Sequence, residues 1–84
     1  MINAKEAANA AIEYLKSFYP KAKNVTLEEV EWSEEKKSWS VTIGFENIET
    51  GDNNPSNINP KLYKIFRIDN NTGQVIAMKI RDFK

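Results

Sequence analysis

The chain contains neither cysteine nor histidine. Without cysteine it has no disulfide and no thiolate metal site. Without histidine it lacks the side chain most often used as a general base and as a transition-metal ligand. A Ser-His-Asp triad, a Cys-His pair and a histidine-based zinc site are therefore excluded.

Long hydrophobic runs are also missing. No apolar stretch approaches the roughly 20 residues that a membrane-spanning helix needs, so we expect no membrane partner. The first residues, Met-Ile-Asn-Ala-Lys-Glu, lack the basic region and apolar core of a signal peptide. We expect a cytoplasmic protein if Met1 is the natural start, and a secreted one if a signal peptide was removed.

No charge of either sign is in excess, because 12 basic residues balance 12 acidic ones. A nucleic-acid-binding domain is usually strongly basic, so we expect no nucleic-acid partner. The distribution is nevertheless uneven, at +2 for residues 1–23, −6 for residues 24–52 and +4 for residues 60–84. We favour attraction between oppositely charged neighbouring strands as the explanation, and a polyanion site is the alternative.

What is present predicts one domain, residues 1–84, beginning with a helix over residues 4–19. Asn3 is a good N-cap, and Glu6 stands three residues later as in a capping box. Pro20 ends the helix, since the residue before a proline avoids helical angles. The predicted apolar face comprises Ala8, Ala11, Ile12, Leu15, Phe18 and Tyr19. The predicted solvent face comprises Lys5, Glu6, Asn9, Glu13 and Lys16.

Two strands, about residues 25–32 and 39–46, follow as a hairpin. Pairing Ser33 with Ser38 sets Trp32 opposite Trp39 and keeps the apolar residues on one face. Leu27 is out of phase with this alternation, which indicates a β-bulge near Glu28 and Glu29.

A second hairpin is predicted from strands at about residues 62–69 and 74–82. We favour a three-residue loop with Gly73 in the left-handed conformation, because it explains the glycine. This loop sets Ile68 opposite Ile76 and Phe66 opposite Met78. Its core face then holds Phe66, Ile68, Ile76, Met78 and Ile80, and its outer face holds Tyr63, Ile65, Arg67, Val75, Ala77 and Lys79. A four-residue loop would instead group Tyr63, Ile65, Ile76, Met78 and Ile80.

The order of elements predicts an α+β fold, with one N-terminal helix packed on a four-stranded antiparallel meander sheet. The chain resembles the PepSY domain family, within the wider cystatin-like helix-on-sheet group. The resemblance covers about 70 residues. The residues that show it are Trp39, Val41, Tyr63, Phe66, Ile68, Asp69, Thr72, Gly73, Val75 and Ile76. It implies inhibition or regulation of peptidases, but the Gln-x-Val-x-Gly inhibitory hairpin of cystatins is not matched.

Two regions are candidates for binding a partner. The first is the Asn-rich segment 47–61, either a specificity loop or a tolerated insertion. The second is the outer face of the last hairpin, either an interface or a surface covered by Ile48 and Ile58 of that segment. The candidate partner-binding residues are Asn53, Asn54, Ser56, Asn57, Ile58, Tyr63, Ile65, Val75 and Ala77.

The other polar and aromatic groups are explained more simply by structural roles than by catalysis or ligand binding. Asp69, Asn71 and Gly73 are typical of a turn, and we predict no metal and no cofactor. Glutamates such as Glu29 and Glu31 are predicted to lie on an open solvent face rather than to act as a pair of acid and base. Trp32 and Trp39 are interpreted as a core pair, with an aromatic ligand platform as the alternative.

Three hypotheses for function follow. We favour a small non-enzymatic binding or regulatory module that acts through a protein partner or by self-association. A peptidase inhibitor or regulator of PepSY type rests on the resemblance. A small enzyme using carboxylates alone is disfavoured, because one helix on one sheet offers little room for a deep pocket.

Overall fold

The computed structural model describes residues 1–47 and 61–80. Within them the chain forms helix α1 (Ala4–Phe18) and strands β1 (Ala22–Ser33), β2 (Ser38–Asn47), β3 (Lys61–Asp69) and β4 (Val75–Ile80). The four strands form one antiparallel sheet in the order β1-β2-β3-β4. The predicted fold, a helix on a four-stranded meander, is confirmed.

Helix α1 begins and ends close to the predicted positions. Asn3 Oδ1 accepts a hydrogen bond from Glu6 N at 2.8 Å, and Glu6 Oε1 accepts one from Asn3 N at 3.0 Å. This is the expected capping box. The helix ends at Phe18 rather than Tyr19, because Tyr19 is the C-cap and its N–H donates to the Leu15 carbonyl at 2.8 Å.

The helix buries a face of small residues against the sheet. Ala7, Ala8, Ala11 and Leu15 are all buried, so the helix backbone lies close to the strands. The prediction that Phe18 belongs to this face is wrong, since Phe18 is 56% exposed. Its ring packs on the Tyr14 ring, 5.0 Å away between centroids, within the helix itself.

The core lies between α1 and one face of the sheet. Five fully buried strand residues meet the helix there: Val41, Ile43, Phe45, Phe66 and Ile68. The Tyr14 ring lies edge-on to Phe66 at 6.2 Å, and the Tyr19 ring lies 5.2 Å from Phe45. The alternation in β2 thus points its odd-numbered residues toward the helix, as the pattern predicts.

The register of the first hairpin is also as predicted. Ser33 pairs with Ser38 and Trp32 with Trp39, and a bulge between Leu27 and Glu29 leaves Glu28 without a partner residue. A second irregularity separates Lys23 from Thr26. It admits Asn24 at φ +52 and lets β1 start at Ala22, three residues earlier than expected.

The last hairpin combines features of both predicted loops. Asp69 N–H donates to the Gln74 carbonyl at 2.8 Å, which encloses four residues rather than three. Ile68 therefore pairs with Val75, so the predicted pairing with Ile76 is wrong. A bulge then shifts the register by one residue, and Phe66 pairs with Met78 as predicted. Gly73 has the expected left-handed conformation, with φ +73.

This bulge corrects the predicted core. Val75, predicted to lie outside, packs against the core, while Ile76 is the unpaired residue and is 51% exposed. Ile80 is 72% exposed although it was predicted to be core. The reason is width: a helix about 10 Å across covers only part of four strands spaced about 4.8 Å apart, and β4 is an edge strand.

The remaining boundaries differ modestly from expectation. Asn47 and Lys61, predicted to belong to the long segment 47–61, are strand residues, and β4 starts at Val75 instead of residue 74. Residues 48–60 and the predicted end of the last strand at residue 82 lie outside the described residues. Among the residues described, no helix is both long and apolar enough to cross a membrane.

Candidate binding surface on the outer face of the sheet

The sheet face that points away from α1 is called the outer face here. It is built from the even-numbered residues of β2, which alternate with the buried Val41, Ile43 and Phe45. Ser38 and Thr42 on this face are also buried, at 1% and 2% exposure. Burial on this face therefore does not come from the helix, which lies on the other side of the sheet.

One row of paired residues crosses the outer face from edge to edge. Glu31 pairs with Ser40, Ser40 with Arg67, and Arg67 with Ala77. A depression of about 310 Å³ is centred on this row. Its lining residues are Glu31, Ser33, Lys36, Ser38, Ser40, Ile65, Arg67, Ala77 and Lys79. Residues of all four strands and of the turn between β1 and β2 thus line one concavity.

Among the described residues, four buried side-chain atoms have no hydrogen-bond partner, and two of them lie at this depression. They are the Ser38 Oγ and the Arg67 Nε. An unsatisfied buried donor or acceptor typically costs about 1–3 kcal/mol, and native proteins contain few of them. The other two, Trp39 Nε1 and Asn70 Oδ1, belong to residues outside the lining of the depression.

The depression is electropositive. Lys36, Arg67 and Lys79 contribute positive charges to its lining, and Glu31 contributes one negative charge. Ile65 and Ala77 add apolar surface to the same concavity. The combination of hydroxyls, guanidinium and short aliphatic side chains suits a ligand that is partly apolar and carries an anionic group.

The structure brings together some of the predicted partner-binding residues. Ile65 and Ala77 line the depression. Tyr63 lies farther along β3 beside Gly44, with the Lys61 ammonium 5.8 Å from its ring centroid. Val75 is not part of this surface, because the bulge at Ile76 turns it toward the core.

The other predicted partner-binding residues belong to the Asn-rich segment. Asn53, Asn54, Ser56, Asn57 and Ile58 lie outside the described residues. Ile48, proposed as part of a cover for the outer face, lies outside them as well.

The turn of the last hairpin uses its acidic residue structurally. Asp69 Oδ2 accepts hydrogen bonds from Thr72 N at 2.8 Å, Thr72 Oγ1 at 2.9 Å and Asn71 N at 3.2 Å. The hydrogen bonds from the Thr72 backbone and side chain, and then from Asn71, hold the pKa of this carboxyl below its ordinary value. The carboxylate thus acts as the turn's own acceptor.

Two glutamates beside the first hairpin show the same kind of stabilisation. Hydrogen bonds from Thr26 and Lys61 lower the pKa of Glu28, and hydrogen bonds from Trp32 and Lys37 lower that of Glu34. A general acid at neutral pH needs a raised pKa. The pKa values of these two carboxyls are therefore shifted in the direction opposite to the one a general acid needs. Glu29 and Glu31 lie exposed, as predicted.

One ion pair joins strands of opposite charge. Lys61 Nζ on β3 lies 3.3 Å from Glu28 Oε2 on β1, across the intervening strand at Gly44. A Cβ at Gly44 would lie 2.7 Å from Lys61 Cε, so this glycine leaves space for the pair. The pair joins the acidic and basic parts of the chain, but its two strands are not neighbours, so attraction between neighbouring strands stays a prediction.

The tryptophan pair lies at the turn end of the first hairpin. The two rings are 5.2 Å apart between centroids, and Trp39 packs against the core. Trp32 is partly exposed, and its Nε1 donates to Glu34 Oε2 at 2.7 Å. The arrangement favours the structural interpretation of the pair over a ligand platform.

Ser38, Ser40 and Arg67 were not among the predicted site residues. Alternation places Ser40 and Arg67 on the outer face, but only the pairing of β2 with β3 shows that they are neighbours. The sequence predicts the pairing within each hairpin and gives no register between the hairpins. Without the register between the hairpins, the sequence does not show that these residues lie side by side.

No group of three or more acidic, histidine or cysteine side chains that could hold a metal ion occurs within residues 1–47 and 61–80.

Comparison of the chain with protein-family models, with curated proteins and with solved structures gave no match.

Proposed function

We propose that the protein is a small non-enzymatic binding or regulatory module that contacts a protein partner through the outer face of its sheet. The observation that supports this most strongly is the depression around Ser40 and Arg67, which combines apolar lining with buried polar atoms that lack partners. A surface used only against solvent gains nothing from burying such atoms.

The position of this surface fits a binding role. It lies on paired strands, which are more rigid than loops, and rigid elements hold contact residues in place before a partner arrives. Helix α1 stabilises the opposite face, so substitutions on the outer face leave the main core intact.

The experiment is affinity capture from an extract of the source cell, with quantification of recovered proteins. Ile65→Lys places a charge in the apolar part of the depression and is expected to abolish recovery of a specific partner. Asn9→Lys, at an exposed position on α1, is the matched control and is expected to preserve recovery. Equal recovery by both variants, with both folded, would contradict a contact through the outer face.

The Asn-rich segment is tested by comparing partner capture by the full chain and by a deletion variant. Deletion of residues 50–58 tests the proposal that Asn53, Asn54, Ser56, Asn57 and Ile58 contribute to partner binding. Loss of partner recovery in this variant supports their role, and unchanged recovery assigns binding to the sheet alone.

Inhibition or regulation of a peptidase is the second candidate. It is proposed only from the resemblance of the hairpin sequence around Asp69 and Gly73 to PepSY domains. Slowing of one member of a panel of peptidases by the purified chain would support it, and no effect on any member would remove it.

A further inference from the structure

From the contents of the depression we infer that the outer face recognises the carboxylate of an acidic side chain, most simply a glutamate, on a protein partner. This inference rests on the proposed function and names the chemistry of the contact. It concerns the row Glu31-Ser40-Arg67-Ala77 and the neighbouring Ser38.

The polar half of the site provides donors for a carboxylate. Arg67 contributes a half-buried guanidinium and Ser38 a buried hydroxyl. Among the described residues, neither the Arg67 Nε nor the Ser38 Oγ has a hydrogen-bond partner. An ionised carboxylate accepts several hydrogen bonds at once, and its geometry matches that of a guanidinium. A carboxylate in the depression would therefore be stabilised by the Arg67 guanidinium, with the Ser38 hydroxyl lining the same site.

The charges around the depression favour the same ligand. Among the described residues that line the depression, Lys36 and Lys79 stand with Arg67, and Glu31 is the one acidic side chain. A partner's carboxylate is attracted by this net positive charge, while an ammonium group is repelled by it.

The apolar half of the site distinguishes a glutamate from a free inorganic anion. Ile65 and Ala77 line the depression beside the polar groups. A glutamate side chain has a short aliphatic stem below its carboxylate, so the stem packs on these residues while the carboxylate meets Arg67. Inorganic phosphate has no such stem and leaves this apolar surface uncovered.

The test is an NMR titration of the ¹⁵N-labelled full chain with the peptide acetyl-Ala-Glu-Ala-amide. Its isosteric control is acetyl-Ala-Gln-Ala-amide, and inorganic phosphate is a third ligand. We expect the glutamate peptide to shift the signals of Ser38, Ser40 and Arg67, including the Arg67 side-chain Nε–H. We expect the glutamine peptide and phosphate to bind at least about tenfold more weakly, the factor associated with loss of one charge-assisted hydrogen bond.

Variants separate a specific contact from general attraction. Arg67→Gln is expected to weaken binding of the glutamate peptide about tenfold, and Glu31→Gln to strengthen it by removing the like charge. Lys5→Gln removes an equal charge from the exposed side of α1 and is expected to change nothing. Equal effects of Arg67→Gln and Lys5→Gln would overturn the inference.

Ser38→Ala gives a readout that a purely structural role would not. Removing an unsatisfied buried hydroxyl is expected to leave the melting temperature unchanged or higher, while peptide binding weakens. A lower melting temperature with unchanged peptide binding would show that Ser38 is only structural and would contradict its assignment.

Three further results would also overturn the inference. The first is absence of shifts with the glutamate peptide, and the second is tighter binding of phosphate. The third is a set of shifts that depends on protein concentration without peptide, which would assign the outer face to a second copy of the chain. If Ile65→Lys abolishes partner capture but Arg67→Gln does not, the proposed binding surface stands and the carboxylate contact fails.

Discussion

At the scale of single residues, the last turn shows most clearly how sequence determines conformation. Asp69 accepts three hydrogen bonds from the residues that follow it, and Gly73 closes the turn with φ +73. Gly73 N–H donates to the Asp69 carbonyl at 2.9 Å. The turn thus depends on one acceptor side chain and one residue without a Cβ.

Gly73→Ala is expected to lower the free energy of unfolding by about 1–2 kcal/mol, because an L-residue is strained in the left-handed conformation. Space is not the cause, since a Cβ there would lie 3.6 Å from the nearest atom, Ile2 Cγ2. Gly73→Asn is the control and is expected to cost less, as asparagine tolerates this conformation. Urea denaturation measures both, and an equal loss for the two variants would contradict a conformational cause.

The Asp69 carboxylate is expected to make stability depend on pH. Its pKa is lower in the folded protein than in the unfolded chain, so its stabilising contribution is present above the unfolded pKa. That contribution is lost as the pH falls through the folded pKa. The folded protein should therefore lose, in acid, the stability advantage it has over Asp69→Asn at neutral pH.

Urea denaturation of both proteins at neutral pH and at about pH 2 measures this difference. Groups other than Asp69 titrate in both proteins and cancel in the comparison. A stability gap of the same size at both pH values would show that the ionised form of Asp69 contributes nothing.

At the scale of elements, the second hairpin contains the main departure from the sequence prediction. The hairpin has a four-residue loop followed by a bulge at Ile76. Beyond the bulge, Phe66 pairs with Met78, as it would with the expected three-residue loop and no bulge. This combination of loop and bulge places Val75 against the core and Ile76 toward solvent, the reverse of the prediction.

Alanine substitutions at two isoleucines test this arrangement. Ile68→Ala is expected to cost about 2–5 kcal/mol, because Ile68 is fully buried in the core. Ile76→Ala is expected to cost less than about 1 kcal/mol, since Ile76 is half exposed. Urea denaturation compares them, and similar losses would support the pairing of Ile68 with Ile76 and exclude the bulge.

The sequence predicts the elements of this fold well for physical reasons that lie within each element. Capping by Asn3 and Glu6, the stop at Pro20 and the alternation from Trp39 to Phe45 are local signals. The register of the first hairpin followed from matching Trp32 to Trp39. Bulges are harder to predict because they depend on how neighbouring strands pack, as the displaced Ile76 shows.

The candidate site was only partly predictable, since it arises between elements. Ile65 and Ala77 could be placed on the outer face from the alternation alone, and both line the depression. Ser40 and Arg67 come together through the pairing of β2 with β3, which is a long-range contact. A single sequence contains no local signal for that register.

At the scale of the whole molecule, the two sheet faces have different roles. One face and helix α1 together form the core, with Leu15 against residues such as Phe45 and Phe66. The other face carries the depression, whose described lining has three basic side chains and one acidic one and includes the Ser38 hydroxyl and the Arg67 guanidinium. We propose that the first face stabilises the fold and that the second face recognises a partner.

The most direct test of this division is to add the ¹⁵N-labelled chain to an unlabelled extract of the source cell and record its NMR signals. Binding of a large partner broadens the signals of the residues that it contacts. The account predicts broadening centred on Ser38, Ser40, Ile65, Arg67 and Ala77, with the exposed side of α1 little affected. Broadening centred on α1, or no broadening at all, would contradict it.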